Sequence, residues 1–341
     1  MERILVAMSG GVDSTGVLYK FRKNGISADG VMMLVAGYDE SAVTDAKKAC
    51  EKLGANLHIL DLQKEFEECV IGDFISEYRA CRTPNPCIVC NQKMKFGLLA
   101  DFAKENGYDA LATGHYAKTE KSGDRVLLKK ADDRKKDQSY VLYGIKKELL
   151  PYLRFPLSAN NKAEIRAELE ENGFENSKRK DSQDICFVQN GKYAEFIENY
   201  TNEKFLPGEF CTADGKVLGM HKGLIRYTIG QRKGLGLALP QPMYVQRLDK
   251  ENNQVILSLE PELFTKRVEA DKINLIAVDK ICDGMKVMAK TRYAMAEQPA
   301  RVFETENGFL VEFEEAQRAI TPGQAVVLYD GDVVVGGGRI I

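Results

Sequence analysis

The sequence lacks the long apolar run that a membrane-spanning helix requires. A span needs about 18 consecutive apolar residues, and no stretch of the 341 residues approaches that length. At the N-terminus only residues 4–8 form an apolar run before Ser9, which is too short for the core of a signal peptide and is more typical of a buried strand. Internal repeats and low-complexity tracts are missing as well. These absences predict a cytoplasmic protein that does not interact with a membrane.

The chain also lacks an excess of charge of either sign. With 48 Lys and Arg residues against 50 Asp and Glu residues, the net charge is −2, so no overall basic field indicates a nucleic-acid partner. Two local clusters differ from this average. Residues 115–136 carry eight basic side chains against four acidic ones, and residues 178–180 are all basic. On charge alone, both clusters are typical of a solvated surface.

A secretory context for disulfide bonds is missing too. Eight cysteines occur without a secretory signal, which favours a reducing compartment where thiols are reactive groups or metal ligands. Apolar residues make up 44% of the chain and charged residues 29%, as in globular proteins with buried cores. A chain of this length predicts two or three domains.

The first 115 residues alternate predicted strands with predicted helices. Apolar residues at helical spacing between Ala42 and Leu53 mark one helix face. Strands joined by such helices favour right-handed βαβ units, and therefore an α/β fold with a mostly parallel, doubly wound sheet. Ligands of these sheets bind at the carboxyl ends of the strands, here after Met8, Leu34 and Thr113. The predicted strands are 3–8, 27–35, 57–62 and 109–113, and the predicted helices include 13–23 and 161–174, the latter capped by Asn161.

Beyond about residue 205 the chain becomes rich in glycine and short β-type runs. Many short strands at even spacing favour small β domains or barrels. We place boundaries near residues 200 and 267. This division predicts an α/β domain over 1–200, a small β-rich domain over 201–267 and a β-barrel over 268–341. The predicted strands in this half are 244–248, 254–259, 286–290, 308–313, 325–329 and 333–335.

A glycine turn lies directly between the first predicted strand and the first predicted helix. Backbone N–H groups of such a turn can face an anion, with help from the helix dipole, and its two glycines allow close approach of phosphate. The turn fits neither the Walker A pattern nor Gly-x-Gly-x-x-Gly. A plain tight turn with a helix cap is the other interpretation. Such a turn needs only Ser-Gly-Gly, and the full six-residue string in this position is much rarer. The residues are Ser9, Gly10, Gly11, Val12, Asp13 and Ser14.

This string resembles the PP-loop of the ATP pyrophosphatases, which cleave ATP between the α and β phosphates. In that superfamily the loop holds the pyrophosphate leaving group while a substrate oxygen attacks the α-phosphorus. The loop alone does not choose among its members, because synthetases of GMP, NAD and argininosuccinate carry similar loops.

Cysteines are crowded into one short segment. Cys81, Cys87 and Cys90 lie within ten residues that also contain two stiffening prolines. Cys90 precedes a predicted helix, and we expect the helix N-terminus to lower the pKa of its thiol below about 8.5. Cys186 follows in the string Asp-Ser-Gln-Asp-Ile-Cys-Phe. Core packing and a structural metal site are the other interpretations of these thiols, and core or surface positions are expected for Cys50, Cys69, Cys211 and Cys282.

The segments 83–91 and 181–187 resemble the two cysteine motifs of bacterial tRNA-specific 2-thiouridylases, the MnmA family. Further strings at 112–117, 136–140, 230–236, 289–293 and 321–324 resemble the same family, so the similarity runs from residue 9 to residue 324. The resemblance implies a PP-loop ATP-binding domain of the adenine nucleotide alpha hydrolase type, followed by two mainly β domains, the last one a barrel.

The resemblance also implies roles for single residues. ATP, accompanied by Mg²⁺, would bind through Ser9 to Ser14, with the backbone near Met33 and Gly114 at the adenosine. Cys186 would receive sulfur as a persulfide from a relay protein or a cysteine desulfurase, and Cys90 would be its catalytic partner. Many relatives carry Asp where this chain has Cys87. Residues implied to contact tRNA are Asn85, Pro86, Cys87, His115, Lys136, Asp137, Gln138, Arg292, Tyr293 and Gln324, and the basic stretch that ends at Lys136 would then contact the tRNA backbone.

The expected function is ATP-dependent 2-thiolation of the wobble uridine of tRNA, in which uracil O2 is adenylated and sulfur comes from a cysteine persulfide. The alternatives are a PP-loop synthetase acting on a small metabolite and a metal-binding tRNA scaffold that uses Cys81, Cys87 and Cys90. A [4Fe–4S] cluster on Cys87, Cys90 and Cys186 is a further hypothesis, since three thiolates would leave one iron open for a hydrosulfide.

Overall fold

The computed structural model describes residues 2–160, 162–178, 185–188 and 191–341. The expected helix cap Asn161, the basic residues Arg179 and Lys180 and the first four residues of the second cysteine motif lie outside the described residues. The helices are α1 Val12–Lys23, α2 Glu40–Lys52, α3 Gln63–Phe66, α4 Gly72–Arg79, α5 Pro86–Val89, α6 Leu99–Glu105, α7 Ser139–Leu142, α8 Lys162–Glu171 and α9 Tyr193–Thr201, with π-helical segments at Glu67–Ile71 and Cys90–Leu98 and short 3₁₀ turns at Lys147–Tyr152, Glu175–Lys178, Leu224–Arg226 and Glu260–Leu263.

The N-terminal sheet is parallel and has helices on both faces. Along β1, Ile4 and Val6 point into one core and Leu5 into the other, as the alternation of side chains along a strand requires. The first core holds α1, α2 and α8, while the second holds α6. This confirms the doubly wound α/β prediction. The sheet has the order β3-β2-β1-β4-β7, made of β1 Arg3–Met8, β2 Ser27–Leu34, β3 Leu57–Asp61, β4 Ala110–Ala112 and β7 Leu153–Arg154.

A second small sheet follows in the central part of the chain. Its order is β10-β11-β8-β9, and the β8–β11 pair is parallel whereas the others are antiparallel. The sequence predicts β10 and β11, but it does not predict the other two strands. The strands are β8 Gly208–Thr212, β9 Val217–His221, β10 Tyr244–Asp249 and β11 Gln254–Ser258.

The C-terminal region is a closed antiparallel barrel of six strands, which confirms the predicted β-barrel, although the sequence does not predict the number of its strands. Its order is β12-β15-β14-β13-β16-β17, and pairing between β12 and β17 closes it. The hairpin of β5 and β6 joins the barrel sheet, because Val333 of β17 pairs with Lys129 of β6. The basic stretch is therefore largely a β-hairpin, which the sequence does not predict. The strands are β5 Ala117–Ser122, β6 Arg125–Lys130, β12 Phe264–Leu275, β13 Met285–Lys290, β14 Gln298–Thr305, β15 Gly308–Arg318, β16 Ala325–Asp330 and β17 Val333–Ile340.

The segment that carries Cys186 packs against an aromatic cluster. α3, the π-helical segment after it and α4 form one continuous helix whose apolar face includes Phe66, Phe74 and Tyr78. Phe187, next to Cys186, packs edge-on against Phe66 and Phe74, with ring centroids 5.6 and 5.2 Å apart.

Among the described residues, no helix has the length and apolar character needed to cross a membrane.

Candidate nucleotide and thiol site

The glycine turn lies at the N-terminus of α1, where the sequence predicts a binding site for phosphate. Gly11 is the N-cap, so the amides of Val12, Asp13 and Ser14 have no partner inside the helix and can face an anion. Gly10 has φ +71°, and a Cβ there would lie 2.3 Å from the Ala42 carbonyl oxygen. A Cβ on Gly11 would meet only Ser9 Oγ, at 3.3 Å, so open space lies in front of these amides. The turn fits the phosphates of ATP.

Side chains hold the turn in this shape from inside. The Ser14 hydroxyl accepts a hydrogen bond from the Ser9 amide at 3.1 Å and donates to the Gly11 carbonyl at 3.1 Å. The amide of Asn176, which is buried, donates to the Gly10 carbonyl at 3.1 Å and to Thr15 Oγ1 at 2.7 Å. The sequence does not single out Asn176, because it lies 161 positions after Thr15 and no motif contains it.

Asp13 is engaged within the protein and does not face outward as a free carboxylate. Its two oxygens accept hydrogen bonds from the Tyr116 hydroxyl at 2.8 Å and from Lys162 Nζ at 2.7 Å. A Cβ on Gly114 would lie 3.0 Å from Asp13 Cβ and 3.1 Å from the Ser14 amide nitrogen. The segment after β4 that carries Gly114 therefore packs directly on the glycine turn. Met33 lies near the end of the neighbouring strand β2, at the same edge of the sheet.

The three thiols of the two cysteine motifs lie near one another. Cys186 is exposed, yet protein surrounds it closely enough that burial raises the pKa of its thiol to about 11, with smaller contributions from the negative charges of Cys90 and Cys87. The pKa of Cys90 is raised as well, because the effect of burial exceeds the opposing effect of the Lys95 charge. Cys87 is exposed in α5, at the start of the helix that continues through Cys90.

The expected lowering of the Cys90 pKa by a helix N-terminus is wrong. The helix begins at Pro86, one turn earlier, and Cys90 starts the π-helical segment inside it. The helix-dipole effect is confined to the first turn, so desolvation dominates at Cys90. The raised pKa values of Cys90 and Cys186 favour the protonated thiols at neutral pH.

The thiols do not fit a metal cluster. Within the described part of the chain, which includes all eight cysteines, no three His, Cys, Asp or Glu side chains lie together as ligands of a metal ion. A [4Fe–4S] cluster needs its cysteine sulfurs gathered around the metal core. The cluster hypothesis for Cys87, Cys90 and Cys186 is therefore not supported by this arrangement, and no step below uses one.

His115 connects the glycine turn to the helix that carries Cys87 and Cys90, which we call the thiol-bearing helix. Its Nε2 lies 3.5 Å from Lys95 Nζ, and its Nδ1 lies 2.8 Å from Thr113 Oγ1. Burial, together with the Lys95 charge, holds the pKa of His115 well below its usual range. The imidazole is therefore neutral. Residues 113–115 thus touch the glycine turn through Gly114 and the thiol-bearing helix through His115.

The barrel domain forms hydrogen bonds with the loop that precedes Cys87 and Cys90. The Thr83 amide donates to the Pro322 carbonyl at 2.8 Å, and Gln324 Nε2 donates to the Thr83 carbonyl at 2.7 Å. Gly323 has φ +89°, and a Cβ there would lie 2.9 Å from the Thr83 amide nitrogen. Asn85 and the buried Pro86 follow this loop at the start of α5. Gln324 and residues 85–87 are therefore neighbours, although the sequence separates them widely.

A buried charge network, which the sequence does not indicate, reinforces the same junction. Glu77 on α4 is 2% exposed, and its carboxylate accepts two hydrogen bonds from the Arg82 guanidinium, at 2.6 and 2.7 Å. Arg339 on β17 lies 3.0 Å from Glu77 and also bonds Asp73 at 2.8 and 3.1 Å. We call these four residues the clasp. It connects α4, the loop before the thiols and the last barrel strand.

Residues 136–138 and 292–293 meet beside the loop that precedes β16, where Arg292 Nη2 donates to the Thr321 hydroxyl. The Tyr293 hydroxyl donates to the Asp137 carbonyl at 3.0 Å, and the Tyr293 side chain is 44% exposed. The Asp137 carboxylate is buried and accepts a hydrogen bond from the Ser139 hydroxyl at 2.7 Å. Gln138 Oε1 accepts from the Tyr116 amide at 2.9 Å, while Arg292 Nη2 donates to the Ala319 carbonyl at 2.6 Å.

Most cations of the basic stretch are paired with acids. Lys121, Lys135 and Lys136 are exposed. The pairing reduces the positive field that the composition alone indicates. The pairs are Lys118–Asp132, Arg125–Asp279, Lys129–Glu120, Lys130–Glu297 and Arg134–Asp332.

Comparisons with known proteins agree with this architecture. Three family models match in order: one described as a tRNA methyl transferase HUP domain over residues 2–190, a tRNA methyl transferase PRC-barrel domain over 194–259 and an aminomethyltransferase beta-barrel domain over 265–340. A solved glutamine-dependent NAD+ synthetase from Acinetobacter baumannii, in complex with ADP, is 19% identical with a TM-score of 0.27 over 33% of this chain and 21% of its own, which is too distant to carry an argument.

Full-length relatives are much closer. The tRNA-specific 2-thiouridylase MnmA of Acetivibrio thermocellus is 42% identical over 99% of both chains. The protein of the same name from Halothermothrix orenii is 42% identical over 100% of this chain and 99% of its own, and that of Clostridioides difficile is 40% identical over 99% and 98%. With such identity over its whole length, the chain belongs to the family of tRNA-specific 2-thiouridylases.

Proposed function

We propose that this protein catalyses the ATP-dependent 2-thiolation of the wobble uridine of tRNA, in the cytoplasm. The observation that carries the proposal is the position of residues 113–115. They contact the glycine turn through Gly114 and Lys95 of the thiol-bearing helix through His115. A uridine bound beside this connection would reach an activating phosphate and a sulfur nucleophile without moving between two sites.

The nucleotide half of the reaction is adenylation. Uracil O2 attacks the α-phosphorus of ATP, the bond to the β-phosphate oxygen breaks, and pyrophosphate leaves toward the amides of Val12, Asp13 and Ser14. These amides stabilise the charge that develops on the leaving group. Mg²⁺ would accompany ATP and be held largely by its phosphates. Adenylation converts the O2 atom into part of a good leaving group, AMP.

The sulfur half requires Cys186 and Cys90. In one route the terminal sulfur of a Cys186 persulfide attacks C2 and AMP leaves; Cys90 thiolate then attacks Cys186 Sγ, so that the product is 2-thiouridine and the two cysteines form a disulfide, which an external thiol reduces. In the other route Cys90 thiolate first attacks Cys186 Sγ, which forms the disulfide and releases hydrosulfide; the hydrosulfide then attacks C2 and AMP leaves. Both routes require a thiolate. A relay protein or a cysteine desulfurase would supply the persulfide.

The proposed tRNA contacts differ in kind. Exposed Lys136 and Tyr293 are suited to direct contact with phosphate and base, as are Asn85 and Cys87 near the thiols. Asp137, Gln138 and Arg292 make hydrogen bonds inside the protein, so we propose that they shape the loops that carry the direct contacts. Gln324 and His115 would combine both roles at the edge of the site. The target base must leave the anticodon stack, which costs a few kcal/mol.

The test uses purified protein, ATP, sodium sulfide and an unmodified tRNA transcript. Nucleoside mass spectrometry is expected to detect 2-thiouridine, and pyrophosphate release is expected to require the tRNA. A matched transcript with cytidine at the wobble position is the control and should give neither product. Pyrophosphate release without any tRNA, and without 2-thiouridine, would instead support a synthetase of a small metabolite and contradict the proposal.

A further inference from the structure

We propose that Lys95 is the electrostatic partner of the Cys90 and Cys186 thiolates in sulfur transfer, a role that rests on the proposed function. Lys95 belongs to none of the strings by which the sequence resembles the thiouridylases. Its position relative to the thiols follows from an irregularity of the helix that carries Cys90.

The π-helical segment Cys90–Leu98 brings Lys95 round to the side of Cys90. In a regular α-helix, residues five apart differ by about 140° around the axis, at 3.6 residues per turn. In the π-helical segment the hydrogen bonds run five residues back, as from the Leu99 amide to the Met94 carbonyl, so residues five apart lie closer to the same side of the helix than in an α-helix. Such segments are often found at functional sites.

Lys95 is held in place by a neutral partner and not by an acid. An ammonium group can only donate hydrogen bonds, so at 3.5 Å His115 Nε2 accepts and the ring proton lies on Nδ1, which donates to Thr113 Oγ1. Across the described ranges, no carboxylate forms an ion pair with Lys95. The charge of this half-buried lysine is therefore available to the thiols it faces.

The thiols need that charge because their surroundings oppose ionisation. Burial raises the pKa of both Cys90 and Cys186, and each thiolate disfavours the next one. Lys95 acts in the opposite direction on both. Among the described residues, the titratable groups whose charges act on these two thiols are each other, Cys87 and Lys95. Since thiolates are the reacting species in either sulfur-transfer route, loss of Lys95 would slow both.

The test measures thiol reactivity before any enzymatic activity. Lys95→Met removes the charge, Lys95→Arg keeps it, and Lys93→Met removes an exposed lysine from the same helix as the matched control. Iodoacetamide modification of Cys90 and Cys186 is followed by peptide mass spectrometry as a function of pH. Lys95→Met should react about tenfold more slowly at pH 8, the consequence of a pKa higher by about one unit, with the curve displaced to higher pH. Lys95→Arg and Lys93→Met should follow the wild-type curve.

Single-turnover thiolation of tRNA is then measured on the same four proteins, with cysteine and a cysteine desulfurase as the persulfide source, because free sulfide would bypass both thiols. Lys95→Met should slow thiolation in parallel with alkylation, and Lys95→Arg should restore most of the rate. An alkylation curve in Lys95→Met that coincides with wild type would overturn the role of Lys95. Displaced alkylation in a protein that makes no 2-thiouridine would keep the electrostatic role and refute the proposed function instead, so the two failures are distinguishable.

Discussion

Replacing Glu77 with Gln removes the central negative charge of the clasp while keeping its shape. Glu77 is 2% exposed and bridges two guanidinium groups. Removing one partner of a fully buried ion pair costs about 3–5 kcal/mol, because the other charge stays buried and unpaired. Arg339 keeps Asp73 as a partner, and the Arg82 side chain is 34% exposed, so water solvates it in part. We therefore expect a loss of about 2 kcal/mol in the free energy of unfolding, between the buried and the surface cases.

The matched control lies on the same helix. Arg79 pairs with Glu203 at 2.7 Å, but the two side chains are 45% and 50% exposed, so Arg79→Gln should cost no more than about 0.5 kcal/mol. The chain has no tryptophan, so unfolding in urea is followed by circular dichroism, and the displacement of the midpoint multiplied by the slope gives the free-energy change. Equal losses in Glu77→Gln and Arg79→Gln would refute the reasoning, because burial of Glu77 would then carry no energetic weight.

Three further predictions concern the nucleotide turn, the tRNA contacts and the thiols. Gly11→Val should fold, because a Cβ there meets only Ser9 Oγ, but it should lose tRNA-dependent pyrophosphate release, and normal release would contradict the assignment of the glycine turn. Gly10→Ala should instead lower the melting temperature, because its Cβ would lie 2.3 Å from a backbone oxygen. Replacing Lys135 and Lys136 with Ala should weaken tRNA binding and flatten the plot of log affinity against log salt by about 0.9 per lost phosphate contact on a duplex, without changing ATP affinity; an unchanged slope would refute the contact. Since the pKa of Cys186 is raised to about 11, its alkylation rate should rise about tenfold per pH unit from pH 7 to pH 9; a plateau below pH 8 would show that burial does not control this thiol.

Sequence reasoning finds the elements whose signals are local. The strand Arg3–Met8, the glycine turn and α1 follow one another along the chain, and each has its own pattern of apolar residues or glycine. The same holds for most barrel strands, where alternating side chains announce a buried face. The parallel sheet, and with it the edge that carries the nucleotide turn, is therefore predictable.

The elements that sequence reasoning misses depend on distant partners. The hairpin β5–β6 has strands rich in charge, and its place is set by pairing with Val333, about 200 residues away. Asn176 supports the glycine turn from a 3₁₀ turn, and Lys162 supports it from α8, both outside its motif. Glu77 gives no sign from its neighbours in sequence that Arg339 will reach it. Such contacts exist only after the chain has folded.

The environment of Cys90 shows the same limit at a single residue. A helix near Cys90 is correctly predicted, but the point where it starts is not, and one turn of difference replaces a favourable helix terminus with a desolvated position. Periodicity places helices well and their ends poorly. The π-helical register that brings Lys95 beside Cys90 has no periodic signal at all.

The most direct test of the proposed function follows one oxygen atom. A tRNA that carries ¹⁸O at O2 of the wobble uridine is incubated with the protein, ATP and sulfide, and the AMP produced is analysed by mass spectrometry. If O2 attacks the α-phosphorus before sulfur replaces it, each AMP formed with 2-thiouridine contains one ¹⁸O atom. AMP without the label, recovered alongside 2-thiouridine, would contradict adenylation of the base and with it the use of the glycine turn on that uridine.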